Sequence, residues 1–249
     1  MANSTLSNAK AAKKDEFYTM FYDIETEMEA YLDYNPNVFR GKTVLLPCDD
    51  PEWSNFTKYF AQNFEDLGLK KLISTSYAIN SKVIKAGIQT SFLETTSSKF
   101  DKSKTNTHGK IFVLEKDTTG DGKINLEDLE WDYLEGDGDF RSEEVKKLRD
   151  EADIIVTNPP FSLFREFLAW IVEADKQFII LGNINCITYK EVFPLFKYNK
   201  MWLGVTNFNR GMFFRVPDDF EYAPTYKFDK EINGIKVNRV SGICWYTNI

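Results

Sequence analysis

The chain has 249 residues, enough for one large domain or two small ones, and its 43% of hydrophobic residues can form a buried core. A net charge of −7 counts against nucleic acid as a partner, because phosphate contacts need clustered Lys and Arg, but a local basic groove is compatible with it. Three widely spaced cysteines, Cys48, Cys186 and Cys244, match neither a zinc spacing nor a disulfide framework, which favours a reducing compartment. Without a signal peptide or a bilayer-length apolar run, the sequence predicts a soluble, cytoplasmic protein.

The first third of the chain predicts a tail, a helix and a strand–helix–strand unit. Residues 1–14 are small and polar and predict a flexible tail. Apolar residues recur at helical spacing from Asp15 to Leu32 and predict a helix. A buried strand is expected at 43–47, a helix from Ser54 that ends at Gly68, and a second strand at 71–75. Such a unit implies a parallel sheet.

The remaining sequence continues this alternation. Helical patterns cover 143–150 and 163–174. Strands are predicted at 111–114, 129–134, 153–157, 178–182, 201–205, 212–216 and 242–247. The whole pattern favours a single α/β domain over residues 15–249, with a mostly parallel, doubly wound sheet and a hairpin insertion near 109–135.

The tetrapeptide Asn158-Pro159-Pro160-Phe161 follows a predicted strand, at the sheet edge where open α/β folds bind ligands. The exocyclic amine of a base is a poor nucleophile, because its lone pair is delocalised into the ring. The Asn158 side chain and the Pro159 carbonyl could each accept one of its N–H groups and so localise the lone pair. The prolines stiffen the loop, and Phe161 can stack on the substrate. An ordinary Pro-Pro turn is the alternative, but the flanking strand and helix favour an S-adenosylmethionine-dependent methyltransferase acting on an amino nitrogen.

Two acidic loops are candidates for binding that cofactor. Pro47-Cys48-Asp49-Asp50 follows the first strand, where Asp49 or Asp50 could accept a hydrogen bond from the amino group of the methionine moiety. The turn lacks glycine, and a plain acidic turn at a helix N-terminus remains the alternative. In Gly136-Asp137-Gly138-Asp139-Phe140, an acid could bind the adenine amino group of the cofactor, with Phe140 beside the ring; the alternative is a glycine-rich surface turn.

The segment Asp117–Asp128 nearly matches a calcium-binding loop, with acids at its first, fifth and last positions and Gly at its sixth. It departs from that pattern with Thr at the third position and Asp at the last, and strands are predicted on both sides. We therefore favour a hairpin turn over a calcium site. Because methyl transfer to an amino nitrogen requires no metal, we also expect none in the active site. His108, the sole histidine, is expected in a surface loop.

Four sequence blocks together resemble the EcoRI-type adenine-specific DNA methyltransferases, and the similarity extends from about residue 13 to the end. These blocks are Asp15–Thr19, Pro47–Pro51 with Ser54–Phe56, Gly136–Ser142 and Asn158–Arg165. The resemblance implies a class I, Rossmann-like methyltransferase fold with an antiparallel carboxyl-terminal strand, and S-adenosylmethionine as cofactor. It also implies that duplex DNA is the partner, that the target adenine is flipped out, and that its exocyclic amino group is methylated, as in restriction–modification.

The resemblance also implies roles for individual residues. Phe17, Tyr18 and Thr19 match the motif that lies over the cofactor, and Pro47, Cys48, Asp49 and Asp50 match the glycine-poor cofactor turn of this family. Asp139 and Phe140 match the adenine-binding position, and Asn158, Pro159, Pro160 and Phe161 match the catalytic loop.

Target recognition is the part that the sequence leaves open. Either residues 183–240 carry the recognition elements, or the chain is a truncated form. Candidates for phosphate contacts, each with solvated surface charge as the alternative, are Arg165, Lys190, Lys197, Arg210 and Arg215. A protein-glutamine amide methyltransferase and a degenerate copy that binds cofactor or DNA without turnover stay open as alternatives.

Overall fold

The computed structural model describes residues 17–47, 49, 54–78 and 99–249. The expected tail at 1–14 and the candidate residues Cys48 and Asp50 lie outside the described residues. Within the described ranges, no helix is both long enough and apolar enough to cross a membrane.

The structure contains six α-helices and twelve strands in the part of the chain that it describes. The helices are α1 (Phe21–Tyr34), α2 (Asn55–Gln62), α3 (Phe64–Leu67), α4 (Glu143–Glu151), α5 (Phe164–Glu173) and α6 (Phe193–Lys197). The strands up to the middle of the chain are β1 (Tyr18–Thr19), β2 (Thr43–Leu46), β3 (Lys71–Ser76), β4 (Lys110–Leu114), β5 (Glu130–Tyr133) and β6 (Ile154–Thr157). The later strands are β7 (Gln177–Asn183), β8 (Trp202–Leu203), β9 (Met212–Arg215), β10 (Glu231–Ile232), β11 (Ile235–Val240) and β12 (Ile243–Thr247).

Eight strands form the central sheet, in the order β5-β4-β3-β2-β6-β7-β12-β8. The four central strands, β3, β2, β6 and β7, run parallel to one another. Strand β12 is antiparallel to both β7 and β8, which confirms the expected antiparallel carboxyl-terminal strand. The hairpin of β4 and β5 extends the other side of the sheet, and β4 pairs antiparallel to β3.

The middle of the central sheet is buried on both faces, which explains why β2, β6 and β7 are nearly continuous apolar runs in the sequence. Val44 and Leu46 of β2 belong to one hydrophobic core, and Leu45 between them belongs to the other. Helices α1 and α2 contribute to the first core, whereas α4 and α5 contribute to the second. The molecule is therefore a mixed α/β structure with helices on both faces of a sheet whose centre is parallel.

A second sheet of four strands has the order β1-β9-β11-β10. Tyr18 and Thr19 pair with Arg215 and Phe214, and β9 pairs in turn with β11. The predicted helix from Asp15 is thus wrong at its start, since α1 begins at Phe21 and residues 18–19 are extended. Pairing with a strand far along the chain overrides local helical periodicity at this point.

Two other predicted elements are shorter than expected. The helix expected from Ser54 to Gly68 is interrupted at Asn63, where the backbone leaves the helical region at φ −104° and ψ 18°. The strand expected at 201–205 is limited to Trp202–Leu203. It ends there because the backbone N–H groups of Val205 and Thr206 turn toward the Glu27 carboxylate, at 3.2 and 3.3 Å, instead of a neighbouring strand.

Candidate active site

Asn158 lies directly after β6, at the edge where the parallel strands end. Its Nδ2 donates a hydrogen bond to the Phe17 carbonyl at 2.7 Å, which joins the predicted catalytic loop to the segment entering β1. The Asn158 Oδ1 atom is buried and has no hydrogen-bond partner among the described residues. A buried acceptor without a partner costs free energy in the folded chain, so this oxygen is suited to an N–H donor from a ligand.

Aromatic rings surround the loop that carries Asn158. The half-buried Phe161 ring stacks on Phe17 with a centroid distance of 6.4 Å, and it meets Phe214 edge-on at 6.2 Å. Phe17 also contacts Phe214 and Phe220, at 5.8 and 6.3 Å. These contacts hold the second sheet against the predicted catalytic loop, so the surroundings of that loop are largely apolar.

Asp49, in the turn after β2, is buried, and hydroxyl groups orient its carboxylate. Ser54 Oγ donates to Asp49 Oδ1 at 2.8 Å, while Thr157 Oγ1 lies 2.6 Å from Asp49 Oδ2. The Thr157 hydroxyl also lies 2.8 Å from the Pro47 carbonyl, so the last residue of β6 ties the predicted cofactor turn to the strand that precedes Asn158.

The backbone of the same turn is held from the other side. The hydroxyls of Thr57 and Ser74 both donate to the Asp49 carbonyl, and their oxygens lie 3.0 Å apart. The turn contains no glycine in the described residues, and hydroxyl side chains from α2 and β3 fix its path instead. Sequence reasoning missed Ser74, Thr57 and Thr157. The only indication of them in the sequence is that each is a polar residue within a largely apolar segment.

Asp139 lies beside the carboxyl end of β3 and accepts four hydrogen bonds from its own chain. Its Oδ1 accepts from the Arg141 backbone N and Nε at 2.8 and 2.9 Å. Its Oδ2 accepts from Arg141 Nη2 at 2.6 Å and from the Tyr77 hydroxyl at 3.2 Å. The Arg141 guanidinium lowers the pKa of Asp139 below its usual value, so the carboxylate is ionised at neutral pH. Tyr77 is a residue of the candidate site that sequence reasoning missed.

Gly138 lets the acidic loop approach β3 closely. Its φ is +84°, and a Cβ atom there would lie 2.4 Å from the Ser76 carbonyl oxygen, so a larger residue would clash with backbone. The same loop directs Phe140 away from the edge. Its ring is 3% exposed and packs edge-on against Phe167 and Trp170 in the second core. The contact of Phe140 with a cofactor ring stays a prediction. The Phe140 side chain already packs fully against residues of α5.

Strand β1 brings the remaining predicted residues to this edge. The Thr19 carbonyl accepts a hydrogen bond from Asn55 Nδ2 at 2.8 Å, which anchors β1 to the start of α2. The Thr19 hydroxyl is buried and lacks a partner among the described residues. Phe17, Thr19, Asp49, Asp139 and Asn158 are thus brought to one edge by the ends of β1, β2, β3 and β6.

The acidic segment 117–128 lies elsewhere, in the connection between β4 and β5, and those strands are antiparallel as the hairpin prediction requires. Asp128 accepts from the backbone N–H groups of Thr118, Thr119 and Asn125 at 2.8 to 3.0 Å. Asp117 accepts from those of Gly120 and Gly122. Among the described residues, no group of three or more His, Cys, Asp or Glu side chains is arranged to bind a metal. His108 lies in a turn, with Nδ1 2.8 Å from the Thr107 hydroxyl.

A family model described as "Adenine-specific methyltransferase EcoRI" matches residues 5–249. Type II methyltransferase M.EcoRI of Escherichia coli is 43% identical over 99% of this chain and 69% of its own length. Type II methyltransferase M.MpnI of Mycoplasma pneumoniae is 36% identical, and M.MgeORF184P of Mycoplasma genitalium is 33% identical, each over 98% of this chain and 64% of the relative. The chain therefore spans about two thirds of the length of these relatives. No solved structure gives a significant match.

Proposed function

The chain belongs to the family of EcoRI adenine-specific methyltransferases, and on that basis we propose that it transfers a methyl group from S-adenosylmethionine to the exocyclic amino nitrogen of adenine in duplex DNA. The observation that carries this proposal is the buried, unpartnered Oδ1 of Asn158 at the carboxyl edge of the sheet. The 36% and 33% identical relatives extend the family assignment beyond one species.

Asn158 acts on the target amine through its side-chain oxygen. Its Nδ2 is occupied by the Phe17 carbonyl, so the amide orientation is fixed and Oδ1 points its lone pairs into the site. Oδ1 accepts one hydrogen of the adenine amino group, and the Pro159 carbonyl accepts the other. Both bonds localise the nitrogen lone pair, and they strengthen as the nitrogen becomes positive during the transfer, which lowers the barrier.

Phe161 provides the stacking surface for the target base. Its ring is half-buried and is held by Phe17 and Phe214, so it offers a rigid apolar plane next to Asn158. An adenine within a duplex cannot reach this recessed loop, so we propose that it is flipped out of the base stack. Stacking on Phe161 offsets part of the cost of breaking the base stack.

The chain's own residues fit the proposed cofactor, which supplies an electrophilic methyl group when it is bound. Its methionine part carries an ammonium group, for which the buried Asp49 carboxylate is a suitable acceptor, with Thr19 Oγ1 as a further unpaired polar atom. Its adenine carries an amino group, for which Asp139 is the acceptor. Because all four lone pairs of that carboxylate are engaged, the Tyr77 hydroxyl, at 3.2 Å the longest of the four bonds, is the one that the ligand would displace.

We further propose that the central sheet is the Rossmann-like sheet of a class I methyltransferase and that residues 15–249 form a single domain. The support is the parallel block β3-β2-β6-β7, followed by β12 as an antiparallel strand between β7 and β8. Ligands bind such sheets at the carboxyl ends of the strands, where Asp49 and Asn158 lie. DNA contacts are assigned to segments within 183–240, which include strands β9, β10 and β11 of the second sheet.

The test is methyl transfer to unmethylated duplex DNA with labelled S-adenosylmethionine, comparing the chain with Asn158→Ala. We expect wild-type transfer to adenine N6 and a decrease in kcat of roughly 10²- to 10³-fold in the variant, the usual cost of removing one group that stabilises developing charge. The matched control is Asn37→Ala, an exposed Asn in the loop before β2, at the opposite edge of the sheet. It should stay within about twofold of wild type.

Each other outcome contradicts the proposal in a different way. Label on protein but not on DNA would indicate a protein amide methyltransferase. Binding of DNA and cofactor without transfer by the wild-type chain would indicate a binding protein. Equal activity of Asn158→Ala and wild type would remove Asn158 from the mechanism, whichever base is modified.

A further inference from the structure

The second sheet presents a row of three side chains toward the predicted catalytic loop. In the antiparallel pairing, Thr19 of β1 lies opposite Phe214 of β9, and Phe214 lies opposite Asn238 of β11. Residues directly opposite one another in antiparallel strands have their side chains on the same face. Since the Phe214 ring contacts Phe17 and Phe161, Asn238 projects from the face that packs against the catalytic loop.

Asn238 is an unusual residue for the interior of that sheet. Its side chain is 2% exposed, and its Nδ2 atom is buried without a hydrogen-bond partner among the described residues. Neighbours on the same face, Met212, Phe214 and Val240, are apolar core residues. A buried amide donor costs free energy unless it is paired, so a purely structural role would be served better by an apolar side chain.

The position of Asn238 separates it from the predicted cofactor turns. Strand β1 contacts α2 and is anchored by Asn55, which follows the Asp49 turn closely in sequence. Strand β11 lies on the other side of β9 from β1. Asn238 is thus two strands away from the cofactor side of the second sheet, while its neighbour Phe214 touches the ring of Phe161.

We propose that Asn238 is a specificity-determining residue that donates a hydrogen bond from Nδ2 to a ring nitrogen of the target adenine. This inference rests on the proposed function. With the amino hydrogens accepted by Asn158 and Pro159, the ring acceptors that flank the amino group are N1 on the Watson–Crick edge and N7 on the Hoogsteen edge. An Asn amide is a common partner for the edge that carries N7. The bond fixes the rotation of the flipped base and orients the amino nitrogen toward Asn158.

The test compares wild type and Asn238→Leu on duplexes whose target adenine is replaced by 1-deazaadenine or 7-deazaadenine, in the sequence that the wild-type chain methylates. Leu keeps the branched shape and removes the donor. We expect one of the two analogues to lower the wild-type kcat/KM by about fivefold to tenfold. The variant should show a similar decrease on ordinary adenine and no additional decrease on that analogue. Electronic changes in the ring act on both proteins equally. The ratio of kcat/KM on adenine to kcat/KM on the analogue, compared between wild type and variant, therefore isolates the hydrogen bond.

Thermal unfolding provides a readout that a structural role would not give. Removing a buried, unpaired donor should leave the Tm of Asn238→Leu unchanged or raise it by roughly 2 °C. Asn238→Ala is the second variant, in case Asn238→Leu does not fold. It must likewise lose the wild-type difference in kcat/KM between adenine and the analogue. The matched control is Val237→Ala, the buried neighbour on the opposite face of β11, which should lower the Tm but retain wild-type discrimination.

Three results would overturn the inference. Equal decreases for wild type and Asn238→Leu on both analogues would show that Asn238 does not contact the base. A variant that loses affinity for S-adenosylhomocysteine while keeping its discrimination would place Asn238 at the cofactor. Wild-type protein that transfers no methyl group to unmodified duplex would overturn the proposed function itself, and this inference with it.

Discussion

Three of the six buried side-chain polar atoms that have no hydrogen-bond partner among the described residues lie near the candidate site. Thr19 Oγ1, Asn158 Oδ1 and Asn238 Nδ2 are all buried without partners among the described residues, and all three belong to the catalytic loop or to the second sheet facing it. Such atoms lower the free energy of unfolding, and a ligand that pairs with them removes that cost. Ligand binding should therefore stabilise this chain by more than its apolar contacts alone would give.

Asp23, in the first turn of α1, gives a prediction at the scale of one residue. Burial raises the pKa of its carboxyl to about 6. Its ionised form is therefore disfavoured in the folded chain, and stability is lost as the pH rises from the unfolded value near 3.9 to about 6. We expect Asp23→Asn to raise the free energy of unfolding at pH 7 by about 1–2 kcal/mol and to have little effect at pH 4.

Urea unfolding at the two pH values measures this difference. The control is Glu29→Gln, which replaces an exposed carboxylate in the same helix. It should change the free energy of unfolding only slightly, and by the same amount at pH 4 and pH 7. A gain for Asp23→Asn of the same size at pH 4 and pH 7 would contradict an origin in the charge of Asp23.

Sequence reasoning proposed Asn158 and Asp49 as site residues because each comes shortly after a buried strand, and order along the chain is enough to place such residues at the same edge. It did not find Phe214, Tyr77 or Asn238. The register of β9 with β1 and β11 places Phe214 and Asn238 on the face that we propose for the site, and register depends on pairing between distant segments. Tyr77 lies directly after β3, but nothing in the sequence distinguishes an aromatic residue of the site at this position from one of the core.

At the scale of secondary structure, the predictable elements are those buried on both faces. β2, β6 and β7 are continuous apolar runs, and each was predicted to within about two residues of its bounds. β1 and β10 have two residues each and exist through pairing alone, so no local pattern indicates them. The break of the helix at Asn63 was also missed, where the Asn63 side chain bonds back to the Tyr59 carbonyl at 2.8 Å.

The connection between β4 and β5 is organised by one carboxylate, which gives a prediction for that element. Hydrogen bonds from the backbone of Asn125, Thr119 and Thr118 keep the pKa of Asp128 well below its usual range. Its stabilising effect is complete above the unfolded pKa of about 3.9 and is lost as the pH falls through the lower folded value. We expect Asp128→Asn to lower the Tm at pH 7 by about 2–4 °C, and the difference to narrow in strong acid.

Thermal unfolding at pH 7 and pH 2 measures the change. The control is Asp121→Asn in the same loop, where the carboxylate accepts one backbone hydrogen bond, from Lys123 at 2.9 Å, and is exposed. It should shift the Tm by less than about 1 °C. A constant difference between Asp128→Asn and wild type across this pH range would show that the ionised form is not responsible.

At the scale of the whole molecule, the net charge of −7 must be reconciled with the proposed partner, DNA. Arg141 and Arg149 are paired with carboxylates and are not available to phosphates. Arg165, in the first turn of α5, is different: its guanidinium lies 4.9 Å from the centre of the Tyr189 ring, and no carboxylate in the described part of the chain pairs with it. Both residues follow the carboxyl ends of β6 and β7, so this oriented cation lies on the same edge as Asn158.

We expect Arg165→Ala to weaken binding to duplex DNA by roughly fivefold to tenfold and to reduce the slope of log K against log salt concentration by about one, as the loss of one phosphate contact requires. Fluorescence anisotropy at several salt concentrations measures both. Lys70→Ala removes an exposed charge before β3, at the opposite edge, and should change neither. A weaker affinity with an unchanged slope would indicate that Arg165 acts through packing on Tyr189 instead.

The pairing of β1 with β9 also has a consequence for the time at which the site forms. Tyr18 and Arg215 are separated by most of the chain, and the Phe17 carbonyl that holds Asn158 lies next to that pairing. Contacts between such distant segments form slowly, because a very long loop must close before they are gained. During synthesis, the amino-terminal strand must wait until β9 has left the ribosome. The nascent chain can thus pair β2 with β3 and β6 before β9 is available to support the proposed catalytic loop.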